Sequence, residues 1–225
     1  MIRLAVALLC VGLAFRYLRQ CRRPHGVLGC WVLRAMNISH DGLTVWGLST
    51  AAIQPHFTVL DIGCGGGRTV SKLAAAAADG HVVGVDYSAD CVAVARDLNA
   101  TLIQAGRVDI KNASVAALPF GDAIFDLATA IETHYYWPHL VDNLREVARV
   151  LKPGGQLVIV AEAYAVGWYG PIYRVVMAPM GGKILSAGEH QGALAAAGFV
   201  DIEVRENRKR GWLAISGRRP SALAS

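Results

Sequence analysis

The stretch Val59–Val70, VLDIGCGGGRTV, constrains this chain more than any other. An apolar pair, Val59 and Leu60, runs into Asp61, then into a turn holding Gly63, Gly65, Gly66 and Gly67, and Arg68-Thr69-Val70 opens a helical pattern. That order reads as a buried strand, a tight turn and a helix start. Glycine accepts positive φ there and lets a ligand lie against bare backbone. The helix start behind it offers unpaired N–H groups and the positive end of a dipole. A dinucleotide fingerprint, G-x-G-x-x-G, fits Gly63 and Gly65, but its third glycine falls on Arg68, which disfavours a nicotinamide oxidoreductase.

The pattern as written, D-x-G-x-G-x-G from Asp61 to Gly67, resembles the first motif of the class I S-adenosylmethionine-dependent methyltransferases. A second phrase, R-V-L-K-P-G-G-x-L at 149–157, leads into an apolar strand and resembles another marker of that family. The resemblance covers about Val59 to Val160, in the family's order and spacing. It implies an α/β fold: a doubly wound, Rossmann-like, seven-stranded, mostly parallel sheet with an antiparallel last strand and helices on both faces. An N-terminal helical extension over residues 1–24 is expected to precede the methyltransferase domain at 25–217, with a lid insertion at about 164–187 and a tail at 218–225.

S-adenosylmethionine is the cofactor that the resemblance implies. Its binding set would comprise Asp61, Gly63, Cys64, Gly65 and Gly67 in the first motif. Asp86, with Tyr87 and Ser88 after it, ends the second strand, where a carboxylate can accept from both ribose hydroxyls of an adenosine. Family members often carry an acid four residues before the L-P-F phrase, here Leu118-Pro119-Phe120, to bind the adenine amino group. This chain departs from that pattern with Ser114, whose hydroxyl can still hydrogen-bond, beside the Val115 backbone N–H. Ile131 closes the set at the end of the fourth strand. The phrase MN-x-x-H-x-x-x-x-x-W-G-L at 36–48 is similar to the lead-in of a group of small bacterial methyltransferases; read alone, His40 is a solvated loop histidine and Trp46 a packing anchor.

Charge and cysteine content exclude other classes. The net charge is +5, yet residues 1–24 hold five arginines (Arg3, Arg16, Arg19, Arg22, Arg23) and no acid, so the remainder is neutral. No basic run with interleaved aromatics marks a nucleic-acid footprint. The segment after the fourth strand carries neither the N-P-P-Y or D-P-P-Y tetrapeptide nor the Pro-Cys pair of base-modifying relatives, so no nucleic-acid partner is expected. Five cysteines without a C-x-x-C pair indicate neither a disulfide framework nor a zinc site, and no metal is expected. Cys64 and Cys91 read as small packing residues in a reducing, cytoplasmic setting.

Leu4–Phe15 is an unbroken apolar run between Arg3 and Arg16. As a helix it would reach roughly 18 Å, short of the ~30 Å hydrocarbon core. Leu4, Leu8, Val11, Phe15 and Leu18 share one helical face while Arg16, Arg19 and Arg23 lie on another. Residues 1–23 therefore read as an amphipathic helix, lying on a membrane surface or on the domain itself.

The expected strands and helices follow the apolar pattern: a helix at Thr69–Ala78, a strand at Val82–Val85, a helix capped by Asp90 and a strand at Val108–Lys111. Strand Ile124–Ile131, helix Asp142–Val150 and strand Gln156–Ala161 come next. An irregular insertion at Tyr164–Ala187, a helix at Glu189–Ala197, strands Val200–Val204 and Trp212–Ser216, and a loose tail from Arg218 end the chain.

In-line transfer of a methyl group needs orientation first, and a partly apolar site favours the dispersed charge of its transition state. A base is optional. For a hydroxyl or protonated amine acceptor, His134 is the first candidate base and Glu132 the second, Glu132 alternatively touching the methionine moiety and His134 alternatively being an exposed imidazole. Tyr135, Tyr136 and Trp137 would form a cation-attracting wall or pack beneath the lid. The acceptor expected is a small apolar or aromatic molecule, or a lipid-like one presented at a membrane. A cofactor-binding protein without catalysis remains the rival reading.

Overall fold

The computed structural model describes Gln20, Gly26, Gly29 and residues 39–166, 169–178 and 181–221. The helix expected within residues 1–24 lies outside the described residues, apart from Gln20. Among the described residues no helix is long and apolar enough to cross a membrane.

The elements run α1 (Asp41–Leu48), β1 (Thr58–Ile62), α2 (Arg68–Ala76), β2 (His81–Asp86), α3 (Ala89–Leu98), α4 (Ala100–Gln104), β3 (Val108–Asn112) and β4 (Phe125–Ile131). A single 3-10 turn, His134–Tyr136, follows. Then come α5 (Leu140–Val150), β5 (Leu151–Ala161), α6 (Tyr169–Met177), α7 (Ala187–Ala196), β6 (Val200–Asn207) and β7 (Trp212–Arg218).

The seven strands form one sheet in the order β3-β2-β1-β4-β5-β7-β6. Pairs from β3 through β5 are parallel, and β7 runs antiparallel to both β5 and β6. Strands buried on both faces need apolar residues at successive positions, and β5 supplies Leu157-Val158-Ile159-Val160. Alternate side chains serve opposite cores. Leu157 and Ile159 join Leu144, Val147 and Val150 of α5 and Leu194 of α7, whereas Val158 and Val160 join Val70 and Leu73 of α2, Val92 of α3 and Leu43 of α1. Leu144 is fully buried, and burying a side chain of that kind contributes about 2 kcal/mol. The order reverses between β1 and β4, so a crevice opens at their C-terminal ends.

The structure revises several local expectations. Ser88, not Asp90, caps α3: its backbone is extended and its hydroxyl accepts from Cys91 N–H, while Asp90 lies in the first helical turn. β5 begins at Leu151 rather than Gln156, because Leu151 pairs with Phe125 before the Lys152–Gly155 segment bulges out and pairing resumes at Leu127 and Gln156. Arg218 is the last residue of β7, and Arg219 exchanges backbone hydrogen bonds with Gly154 and Gly155, so the tail begins after this clamp on the bulge. Within the insertion, α6 is a regular helix.

Candidate functional site

β1 delivers its chain into the glycine turn at the crevice. Gly63 and Cys64 N–H both donate to Val85 O, at 2.8 and 3.0 Å, which locks the turn onto β2. Gly63 has φ +74°, and a Cβ there would stand 2.2 Å from Thr133 Oγ1 of the loop beyond β4. Gly67 caps α2 at φ +81°, and a Cβ would press on Ala95 of α3 and on Asn99, which ends that helix. Both glycines are thus required by conformation and by close approach.

A cleft of about 500 Å³ opens on this turn. Its donor end is walled by Gly63, Cys64, Gly65 and Gly66, by Asp86 and Tyr87 at the end of β2, by Cys91, and by Ser114 and Val115. Asp86 Oδ2 accepts from Gly65 N–H at 3.0 Å and Oδ1 from Ser88 N–H at 2.9 Å. The residue is largely buried yet lies on the cleft wall. Each of its carboxylate oxygens retains a lone pair beyond these bonds, the acceptor pair that a vicinal diol needs. Burial raises the Asp86 carboxyl above its usual range, and the backbone donors partly offset this.

Asp61 lies beneath the turn rather than on the cleft wall. Its Oδ1 accepts from Thr129 Oγ1 at 2.7 Å, while Oδ2 is buried without a protein donor. Burial lifts this carboxyl to about 7, against the pull of Thr129. A buried acceptor without a donor costs about 1–3 kcal/mol, and a ligand ammonium or a bridging water would satisfy it. These features, with the bare backbone at Gly63 and Gly65, fit an adenosyl amino acid.

Of the residues anticipated from sequence, Gly63, Cys64, Gly65, Asp86, Tyr87, Ser114, Val115, Ile131 and Glu132 share this one cleft. Gly67 and Ser88 support it from behind as helix caps. Burial pushes the Cys64 thiol well up and Cys91 up to about 12, which keeps both as packing thiols.

His134 is where the expectation fails. It is 1% exposed, is absent from the cleft wall, and its Nε2 meets His190 Nε2 at 2.7 Å. His190 Nδ1 lies 2.8 Å from Ser186 O, a pure acceptor, so that nitrogen carries a hydrogen. With both rings neutral, His134 Nε2–H then donates to the bare His190 Nε2, and His134 Nδ1 is left buried without a partner. Burial lowers both pKa values, His134 the more. A neutral imidazole sealed between the post-β4 loop and α7 is a packing element, not a base for a cleft substrate.

Glu132 does face the cleft. Its backbone has φ +57°, a strained setting for a non-glycine residue. The strain is held by Glu132 N–H donating to Val160 O, and by its carboxylate accepting Glu162 N–H at 2.6 Å and Tyr135 O–H at 2.5 Å. Burial, then the charge of Glu162, raises its carboxyl to about 7, while His40 pulls the other way.

Thr69, Thr133 and Lys183 were missed in the sequence, and His40 was passed over; all line the cleft, as do Tyr136, Trp137 and Pro138. Tyr135 does not, since it packs with Ala161, Ala163, Met177 and Ile184 under the insertion. Trp168 and Met180 of that insertion lie outside the described residues. The one signal for His40 was its spacing to the W-G-L phrase. Gly47 of that phrase brings α1 onto β5, where a Cβ would lie 2.3 Å from Val160 Cγ2.

Ligand atoms of His40, Glu132 and Glu162 lie within 4.8 Å of one another. Within the trio His40 Nε2 stands 3.3 Å from Glu162 Oε1, and Glu132 accepts the Glu162 N–H.

A family profile described as a methyltransferase domain matches residues 59–155. The chain is 34% identical over 162 residues to the O-methyltransferase cnsE of Penicillium expansum, covering 67% of this chain and 55% of that protein. It is 32% identical over 152 residues to the O-methyltransferase rstn1 of Aspergillus nomiae, covering 64% of this chain and 67% of that protein. The chain thus spans about half the length of the first of these relatives and two thirds of the second. Among solved structures, phosphoethanolamine N-methyltransferase 2 of Haemonchus contortus, in complex with phosphomonomethylethanolamine and S-adenosylhomocysteine, superposes with a TM-score of 0.72 at 16% identity, over 80% of this chain and 53% of that one. At that identity the likeness is one of fold.

Proposed function

The chain belongs to the class I S-adenosylmethionine-dependent methyltransferases, and from that premise we propose that its cleft transfers a methyl group to the hydroxyl oxygen of a small, apolar or aromatic acceptor. The observation that carries the reading is the continuity of one cleft, from Gly65 and Asp86 at one end to Glu132, Tyr136 and Trp137 at the other. The names of the two fungal relatives support oxygen as the acceptor atom.

S-adenosylmethionine supplies, when bound, a methyl group on a positively charged sulfur that needs little activation. The chain's residues do the rest. Asp86 would hold the ribose, Ser114 and Val115 N–H the adenine edge, and Asp61, Gly63 and Gly65 the amino-acid end. Ile131 and Glu132 would flank the reacting centre. Tyr136 and Trp137 place π-faces on the acceptor side, which suits an aromatic acceptor and a passing positive charge. The α6 insertion backs that wall and excludes water, so that orientation supplies most of the rate. Residues 1–23 would add peripheral membrane contact, which liposome co-sedimentation with Arg16, Arg19, Arg22 and Arg23 changed to Gln would test.

The test of function is transfer of tritium from labelled S-adenosylmethionine to a panel of phenols, alcohols, amines and thiols, run beside calorimetry with S-adenosylhomocysteine. Methylated phenols or alcohols are expected. Tight binding without turnover on the whole panel would favour a non-catalytic cofactor-binding protein instead.

A further inference from the structure

Three segments remote in sequence meet above the C-terminal ends of β4 and β5. They are the turn before α1 with His40, the turn after β4 with Glu132, and the turn after β5 with Glu162. His40 Nε2 stands 3.3 Å from Glu162 Oε1. The imidazole is on the cleft wall together with Glu132, and no described residue bonds its Nδ1. A ring whose Nε2–H is directed to a carboxylate presents its other nitrogen as a lone pair, the arrangement by which a carboxylate fixes a histidine's tautomer.

From this geometry we infer that His40 is the general base that takes the proton of an acidic hydroxyl, a phenol or enol, and that Glu162 is the residue that orients it. The inference rests on the methyl-transfer reading above. Its rivals in the cleft are weaker on the same grounds of geometry. The Glu132 carboxylate ties the turns after β4 and β5 together through Tyr135 O–H and Glu162 N–H, and His134 is sealed away with His190.

The step balances. His40 Nδ1 takes the hydroxyl proton as the acceptor oxygen's electron pair forms the O–C bond. The C–S bond breaks with its pair remaining on sulfur, which becomes a neutral thioether, and the imidazolium then releases its proton to solvent. The chemistry selects the acceptor class: a phenol ionises near pH ~10 and an imidazole near ~6.5, a gap that a carboxylate partner narrows. An aliphatic alcohol lies much further off.

The groups facing His40 are Glu162 from beyond β5 and Glu132 from beyond β4, the latter sharing its carboxylate with Tyr135. Asp41, next in the chain, is turned to Arg68 and Lys72. The Glu162 contact raises the His40 pKa, desolvation opposes it, and Glu132 adds to the rise.

The full chain saturated with S-adenosylhomocysteine is titrated with 4-nitrophenol, whose phenolate absorbs in the visible. Bound probe should ionise at about tenfold higher proton concentration on the wild type than on His40→Asn, a substitution that puts a residue favoured at helix starts before α1. Glu162→Gln should give a smaller shift than wild type, and Glu162→Asp should recover part of it. On any phenol that is turned over, His40→Asn should lower kcat about 100-fold or more, with S-adenosylhomocysteine affinity little changed. In Glu162→Gln the acid limb of the kcat profile should move to lower pH.

Equal ionisation on wild type, His40→Asn and Glu162→Gln would overturn the inference. So would absence of 4-nitrophenol binding, or a shift that requires added magnesium and vanishes with chelator. Failure of the wild type to bind S-adenosylhomocysteine would remove the methyl-transfer reading itself, which calorimetry reports separately.

Discussion

The two ends of the cleft are built in different ways. The donor end is made of backbone: amides of Gly63, Cys64 and Gly65 pinned to β2, one carboxylate at Asp86, and glycines whose missing side chains make the room. The acceptor end is made of side chains from the turn before α1, the loop after β4 and the insertion. Its charged members lean on one another, as Glu132 does on Tyr135 and His40 on Glu162. A backbone-built site fixes one ligand shape, whereas a side-chain-built site can be re-cut for another acceptor without disturbing the donor.

The largest effect that would break this division is Gly63→Val. The new side chain would meet Thr133 across the seam and sit at φ +74°. A loss of about 3 kcal/mol in denaturant unfolding is expected, with binding of S-adenosylhomocysteine abolished. Stability within about 0.5 kcal/mol of wild type, the range of an ordinary surface substitution, would mean that the seam is loose.

Next comes the strain beneath the donor end. Asp61 has a folded-state pKa of about 7 against an ordinary 3.8, so the folded form binds more protons between those values. Its contribution is then lost as pH rises from about 4 to 7. Asp61→Asn should flatten that slope in urea unfolding of the ligand-free protein, with a difference on the order of 2 kcal/mol between pH 5 and pH 8, and should weaken S-adenosylhomocysteine binding. An unchanged slope would show that the orphan oxygen carries no cost.

The acceptor end should respond to acid with the opposite sign. His134 and His190 have folded-state pKa values lowered from 6.5, so the unfolded form takes up protons first. The stability they contribute is complete above about 6.5 and is lost as pH falls below it. Hydrogen exchange, corrected for its intrinsic pH dependence, should show a several-fold loss of protection at 134–137 and 187–196 between pH 7.5 and pH 5.5. Protection in β1 and β2 should fall less; a uniform change would erase the contrast.

The same contrast explains what the sequence disclosed. The donor end was legible because its constraints are local: Asp61 to Gly67 fit inside one strand-turn-helix, and Asp86 follows one strand later. The apolar pattern likewise disclosed the seven strands: central runs such as β1 and β2 fill cores on both faces, whereas the edge strands β3 and β6 leave much of their length exposed. Asp90 reads as the cap that Ser88 holds because both are good capping residues two positions apart; the extended backbone of Ser88 and the bond its hydroxyl accepts from Cys91 N–H separate them. The acceptor end was poorly legible because it is assembled at a distance. Nothing near His134 in the chain announces His190, which arrives only with α7, and nothing near His40 announces Glu162. His134 reads as available because a loop imidazole is usually solvated, and the histidine that covers it lies 56 residues further on.

Calorimetric titration of S-adenosylhomocysteine into Asp86→Ala and Tyr136→Ala, side by side with the wild type, tests the division most directly. Asp86→Ala should lose at least about 100-fold in affinity, since two hydrogen bonds to a carboxylate contribute about 3 kcal/mol or more together. Tyr136→Ala should bind within about threefold of wild type while losing acceptor turnover. Full affinity in Asp86→Ala, or equal losses in both variants, would contradict the account of a donor end that stands apart from the acceptor end.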